Sequence, residues 1–297
     1  DPEKAAALKD SDERLAQFAE AYEDPKLSRE IFHGSGPYKF VEWVDGQVIT
    51  LERKENWWGD KVEGEHSQLK AYPDKIEFKP IEDNAAAAVA LQDGQIDVMS
   101  EVDSKQFLEA RENEYLKENF NFFTPTRMAF FYTAMNNDNP KLADKRVRRA
   151  ITHCYDMDEI IKTAYEGFGE AVPGPFLPDK SYFHDGLEIV KKDLDKAKEL
   201  LAEAGWTDSN NNGVVDKVID GELTELSIDF LYTPTVPFQD VQTTLVADNA
   251  KQVGIEINRV AMDSKQLGQR LRQRDYEMAG RGAGSNPVPD DPKQYWH

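Results

Sequence analysis

Apolar positions along the chain switch repeatedly between the period of a helix and the period of a strand. Near the start, Leu8, Leu15, Phe18 and Tyr22 recur at spacings of seven, three and four among charged residues, which predicts an amphipathic helical lead-in over 1–33. From Tyr38 the pattern shortens. YKFVEW and VITLERK flank Asp45-Gly46, a dipeptide that tolerates positive φ, and together they predict a hairpin. KIEFKPI then predicts a strand, DNAAAAVALQDG a helix capped by Asp83 and stopped by Gly94, and QIDVMS a second strand, so that the three make a βαβ unit.

A second block opens near Arg127 with RMAFFYTAMN, an apolar run of strand length. Two helices follow, DKRVRRAITHCY and a second in which Asp156 and Glu159 have capping-box spacing before IIKTAYEG, with Gly167 as its stop. Pro173, Pro175 and Pro178 deplete AVPGPFLPDK of backbone donors and mark an extended loop. Beyond it, DLDKAKELLAEAG is a capped helix, and ELSIDFLY alternates Leu226, Ile228, Phe230 and Tyr232 on one face. A helix from about Phe238 to Val253 leads into the strand IEINRVAM, and a further helix leads into YEMAG. Alternating helices and strands predict α/β architecture, with mixed sheets flanked by helices. A length of 297 residues suits two lobes, and the extended stretch Phe123 to Arg127 is the expected boundary, giving 34–126 and 127–297.

Charge narrows the function classes. Lys and Arg total 36 against 56 Asp and Glu, a net charge of −20 that repels nucleic-acid phosphates and anionic lipid. Apolar stretches such as Ala85 to Leu91 fall far short of the roughly 20 residues that cross a bilayer. The chain opens at Asp1 with neither an initiator methionine nor a leader, so its natural start is expected to have been removed. Cys154 is the single cysteine, which excludes an intrachain disulfide; in its helical pattern it reads as a small core residue.

Catalytic and cofactor motifs are missing. The five histidines (His33, His66, His153, His184, His297) are scattered, without HExxH or Cys-His spacing for zinc. There is no GxSxG elbow and no phosphate loop, and GRGAGS at Gly280 to Ser285 lacks the third glycine of a dinucleotide fingerprint. Those glycines are expected to let a backbone approach a ligand or a neighbouring strand. No cofactor and no catalytic residue is therefore expected. Asp208, Asn210, Asn212, Gly213 and Asp216 place oxygen ligands at alternate positions around a glycine, as a calcium loop does, but the twelfth position is Ile219. An Asx-rich turn opening a hairpin is the other reading of the same residues.

Several segments resemble the family 5 extracellular solute-binding proteins, whose members include oligopeptide, dipeptide and nickel-chelate receptors. GSGPYKFVEW with LERKENWW is similar to that family's GTGPY hairpin, and ALQDGQIDVM to its L-x-x-G-E-I-D segment. NNDNPKLADKRVRRAI, YDMDEII, DLDKAKELLAEAGW and DYEMAG match later elements in the same order. The family's chains are considerably longer, so the resemblance implies a fragment lacking both ends of a type II periplasmic-binding-protein-like fold. It also implies the function: two lobes close on a solute, with Thr124 to Arg127 as hinge, and deliver it to the permease subunits of an ABC importer. The location implied is the periplasm or the cell surface, with lipid anchoring through an N-terminal segment.

Candidate ligand residues follow from that resemblance. Where peptide-binding relatives place an aspartate against the ligand's amino group, alignment from Tyr276 places Asn286, and the adjoining NPVPDD leaves Asp290 or Asp291 as another source of charge. An amide cannot neutralise an ammonium, so Asn286 favours a neutral or sugar-like solute. Tyr132 aligns with a pocket-facing aromatic, and Arg127 offers a fork of donors to an anionic group. Arg281 and Trp296 are further candidates. A secreted or periplasmic hydrolase of similar fold and a ligand sensor for a signalling partner stay open as alternatives.

Overall fold

The structure is a computed structural model that describes residues 12–23, 34–64, 66–100, 102–178, 180–184 and 186–284. It divides into two compact units, Asp1–Ser100 and Glu101–His297. The expected lobe boundary near Arg127 lies inside the second unit. Compactness divides the chain earlier because Phe107 packs edge-on against Phe122 and Phe168, each at 5.6 Å between ring centroids.

In the first unit, the lead-in helix α1 (Glu13–Glu23) leaves Leu15, Phe18 and Tyr22 exposed. The hairpin forms as the Asp45-Gly46 turn dictates: β1 (Tyr38–Val44) and β2 (Val48–Arg53) pair antiparallel, with Gly46 at φ 68°. β3 (Lys75–Phe78) adds to β2, also antiparallel. Trp57 is 5% exposed, and its ring lies so close over Gly59 that a Cβ there would sit 2.2 Å away. Both indole N–H groups of Trp57 and Trp58 donate to the Ser35 carbonyl, at 2.7 and 2.8 Å, which ties the Gly34–Gly36 segment to the hairpin's far end.

Helix α2 (Asn84–Gln92) starts where the Asp83 carboxylate accepts from Ala86 N at 2.7 Å. The βαβ unit does not form. QIDVMS has no strand ladder: Gln95 N closes the helix end on the Ala90 carbonyl at 2.8 Å, and Val98 faces solvent. A strand is stable only against a partner, and this segment has none among the described residues.

The second unit begins with two short helices that the apolar pattern does not disclose, α3 (Ser104–Glu112) and α4 (Glu114–Asn119), capped by Asp103 and Asn113. Then come β4 (Ala129–Met135), α5 (Lys145–Thr152), α6 (Met157–Tyr165), α7 (Leu194–Glu203), and the hairpin β5 (Asp216–Ile219) and β6 (Glu222–Glu225). The chain continues through β7 (Ser227–Tyr232), α8 (Pro237–Lys251), β8 (Glu256–Ala261), α9 (Ser264–Arg272) and β9 (Met278–Gly284). The sheet order is β4-β9-β7-β8, with β9 and β8 parallel to β7 and β4 antiparallel to β9. The alternation read from ELSIDFLY holds for one face: Ile228 and Phe230 are buried against α5, α7 and α8. Leu231 is buried on the other face, with Leu267 of α9 and Ala279 of β9. Helices thus cover both faces of the central strands, as parallel sheets require.

A polar clasp closes the amino end of β9. Glu277 accepts from Asp229 N at 2.7 Å and from Asn139 Nδ2 at 2.9 Å, and it pairs with Lys141 at 2.5 Å. Lys141 also donates to the Ser227 carbonyl.

The start of α5 carries a pH-dependent contribution. Hydrogen bonds from Arg146 hold the Asp144 carboxyl down at about 2 from its ordinary 3.8. Because the folded value is depressed, the stabilisation is present above the unfolded value and is lost as pH falls through about 2. After discounting for solvent screening, we expect urea titrations to show a loss of about 1–2 kcal/mol between roughly pH 4 and pH 2. Asp144→Asn should flatten that part of the profile; an unchanged profile would refute the assignment.

Candidate functional site

β4 runs against β9, so its amino end lies beside the carboxyl ends of β7 and β9. β7 stops at Tyr232, level with Gly280, whereas β4 and β9 stay paired as far as Ala129 and Gly284. A two-stranded ribbon therefore continues past the end of β7 at the sheet's carboxyl edge, the edge at which open α/β sheets hold ligands.

Tyr132 and Arg281 come together on this ribbon as direct cross-strand partners. The Arg281 guanidinium lies 5.9 Å from the Tyr132 ring centroid, and Phe130 stacks on Tyr132 at 5.6 Å. Arg127 enters two residues before β4 and is exposed. Burial pushes the Tyr165 phenol up, and the Arg127 charge opposes that shift, so Arg127 acts on the neighbourhood of Tyr165. Asn286, Asp290, Asp291 and Trp296 lie outside the described residues.

The glycines of GRGAGS work as close-approach positions. A Cβ on Gly282 would meet the Phe131 ring at 3.1 Å, and one on Gly280 would meet the Gln239 side chain at 3.0 Å. Phe131 stacks on Phe238 of α8 at 5.2 Å, and Phe238 on Tyr165 at 6.0 Å, forming an aromatic wall on the α8 face of the ribbon.

Beneath that wall runs a polar layer that the sequence reading missed. Thr133 and Tyr155 share a 2.8 Å hydrogen bond, Gln242 Nε2 donates to Thr133 at 3.5 Å, and Gln239 Oε1 accepts from Thr233 N at 2.8 Å. The available signal was the pair Gln239 and Gln242, one helical turn apart, on the face that Phe238, Val246 and Ala250 bury.

Cys154 packs in the core, where burial pushes its thiol up to about 12. In the Asx-rich loop, the Asp208 carboxylate accepts from Asn212 N and Gly213 N at 3.1 and 2.9 Å, and buried Asp216 accepts from Ser209 N at 3.0 Å. Glu225 of β6, rather than the twelfth loop position, reaches Asn212 at 2.6 Å. Among the described residues no group of three or more His, Cys, Asp or Glu is arranged to hold a metal ion. Nor is any helix there long and apolar enough to cross a membrane. One concavity of about 270 Å³ lies at the opposite, amino end of β9 beside Asn136, Arg274 and Glu277. A second, of about 570 Å³, lies in the first unit beside Lys39, Arg53 and Asp74.

A doubly covered sheet with an aromatic and cationic ribbon at its carboxyl edge defines a unit of the α/β class. Residues 3–297 match the model of the bacterial extracellular solute-binding proteins, family 5, and the chain belongs to that family. It is 31% identical over 237 residues to the oligopeptide-binding protein AppA of Bacillus subtilis, covering 79% of this chain and 40% of that protein. It is 25% identical over 244 residues to the nickel-binding periplasmic protein of Escherichia coli, covering 82% and 43%. The solved structure of B. subtilis AppA in complex with a nonapeptide superposes with a TM-score of 0.65 at 27% identity, covering 87% of this chain and 49% of that one. The chain thus spans about two fifths of the length of the curated relatives it matches.

Proposed function

We propose that this chain forms part of a receptor that captures an oligopeptide-like or other small polar solute outside the cytoplasm and hands it to the permease of an ABC importer. The observation that carries the proposal is the family match across 3–297, realised in a sheet whose carboxyl edge bears the Tyr132–Arg281 pair. In this reading residues 34–126 belong to the first lobe and 127–297 to the second, with Thr124 to Arg127 as hinge. Contacts from both lobes favour closure only when solute is present, and no bond is made or broken. Tyr132 packs its ring against the solute, and Arg127 and Arg281 donate to its carbonyl or carboxylate oxygens. Asn286 offers an amide and Asp291 a carboxylate from the segment after β9. The receptor works in the periplasm or at the cell surface.

The protein at its natural length should retain a solute through purification, detectable by native mass spectrometry, and should bind a random pentapeptide library in a fluorescence titration. Tyr132→Ala and Arg281→Ala should each weaken binding about tenfold without moving the unfolding midpoint. Absence of binding to peptides, sugars and metal chelates alike would sink the receptor reading. Peptide cleavage during incubation would favour a hydrolase.

A further inference from the structure

We infer that Gln239 is a ligand-contacting residue, whose side-chain Nε2 donates a hydrogen bond to a carbonyl or carboxylate oxygen of the solute; this rests on the receptor reading above. Gln239 stands in the first turn of α8, directly after β7, at the carboxyl edge of the sheet. Only 6% of the residue is exposed, and its amide orientation is set: Oε1 accepts from the buried Thr233 N at 2.8 Å. The amide carbon lies against Gly280, where a Cβ would come within 3.0 Å, so the ribbon's missing side chain makes room for this group.

With Oε1 engaged, Nε2 keeps two donor hydrogens. Among the described residues it has no hydrogen-bond partner. Nor is it fully enclosed, because Gln106 Oε1 is the only buried side-chain polar atom without a partner there. The small exposed remainder of Gln239 therefore includes its donor. An almost buried amide fastened at its oxygen and open at its nitrogen holds a donor fixed at the sheet edge that makes no internal hydrogen bond of its own. Its neighbourhood points to the same chemistry. Val236 supplies no side-chain cap to α8, and Pro237 has no N–H. Gln239 N and Asp240 N turn back onto the Val236 carbonyl, which leaves Phe238 N as the first-turn donor without a partner among the described residues. It lies at the positive end of a 15-residue helix whose first turn also carries Asp240. A fixed donor beside a helix N-terminus selects an acceptor oxygen, as a peptide main chain provides, and is not matched by an ammonium group.

The test uses the protein at its natural length and a random pentapeptide library as probe. Gln239→Glu keeps an acceptor for Thr233 N but removes the donor, so the apparent Kd should rise by at least about tenfold with the unfolding midpoint little changed. Should that variant fail to fold, the unsubstituted protein answers the question by NMR. The Gln239 side-chain amide resonance, assigned through its proximity to the Gly280 α-protons, should shift downfield on saturation with the library. Binding left within twofold by Gln239→Glu, or an amide resonance that does not move while peptide binds, overturns the role of Gln239 alone. An unsubstituted protein that binds no peptide overturns this inference together with the receptor reading on which it rests.

Discussion

Phe230→Ala is expected to lower the unfolding free energy by about 3–5 kcal/mol, a large share of the ~5–15 kcal/mol that holds a domain together. The Phe230 side chain is fully buried on central strand β7, packed in the same cluster as Phe238 of α8 and Met278 of β9. Truncation removes the ring's transfer free energy and leaves a cavity that a sheet covered on both faces cannot collapse to fill. Phe230→Leu, which keeps much of the volume, should cost less than half as much. Phe18→Ala, at a side chain 67% exposed on α1, should stay within about 0.5 kcal/mol of zero. Urea unfolding followed by circular dichroism orders the three variants. A Phe230→Ala midpoint no lower than that of Phe18→Ala would contradict the packing described for β7.

Glu277→Ala is expected to cost about 2–4 kcal/mol. Its carboxylate serves three donors at once, from Asp229, Asn139 and Lys141, and the side chains of Glu277 and Lys141 are only 20% and 21% exposed. Removing it strands a charge and two N–H donors in a poorly solvated place. Glu277→Gln should recover only part of the loss, because its NH₂ must face one of those donors. In a double-mutant cycle, Lys141→Met combined with Glu277→Met should cost less than the sum of the single changes, since the pair then leaves together. Strict additivity in urea unfolding would show that the two side chains do not interact.

These two sites differ in how far the sequence discloses them. Phe230 is legible, because the alternation of Leu226, Ile228 and Phe230 with Ser227 and Asp229 places it on a buried face. The clasp is not. Lys141 and Glu277 are 136 positions apart, and nothing local in a chain with 56 carboxylates marks one of them as nearly buried. The same contrast runs through the candidate site. Tyr132 and Arg281 are nominated separately, by resemblance, yet their meeting follows from the antiparallel register of β4 on β9. Gln239 and Gln242 sit on one buried helix face, but their partners come from two distant segments, Thr233 just past the end of β7 and Thr133 of β4.

Caps, turns and periodicity are local properties of the chain. Asp83, Asp144, Asp156 and Asp193 cap helices because a short carboxylate reaches backbone N–H groups two or three residues on, and Gly46 turns the hairpin because it tolerates positive φ. The sequence alone therefore determined most helices and strands, the α/β class and the family. Tertiary structure decided what depends on partners. It left QIDVMS without a ladder and turned the GRGAGS glycines into contact points for Phe131 and Gln239. Strand pairing and the burial of polar groups are settled by which distant segments arrive alongside, and that information is spread over the whole chain.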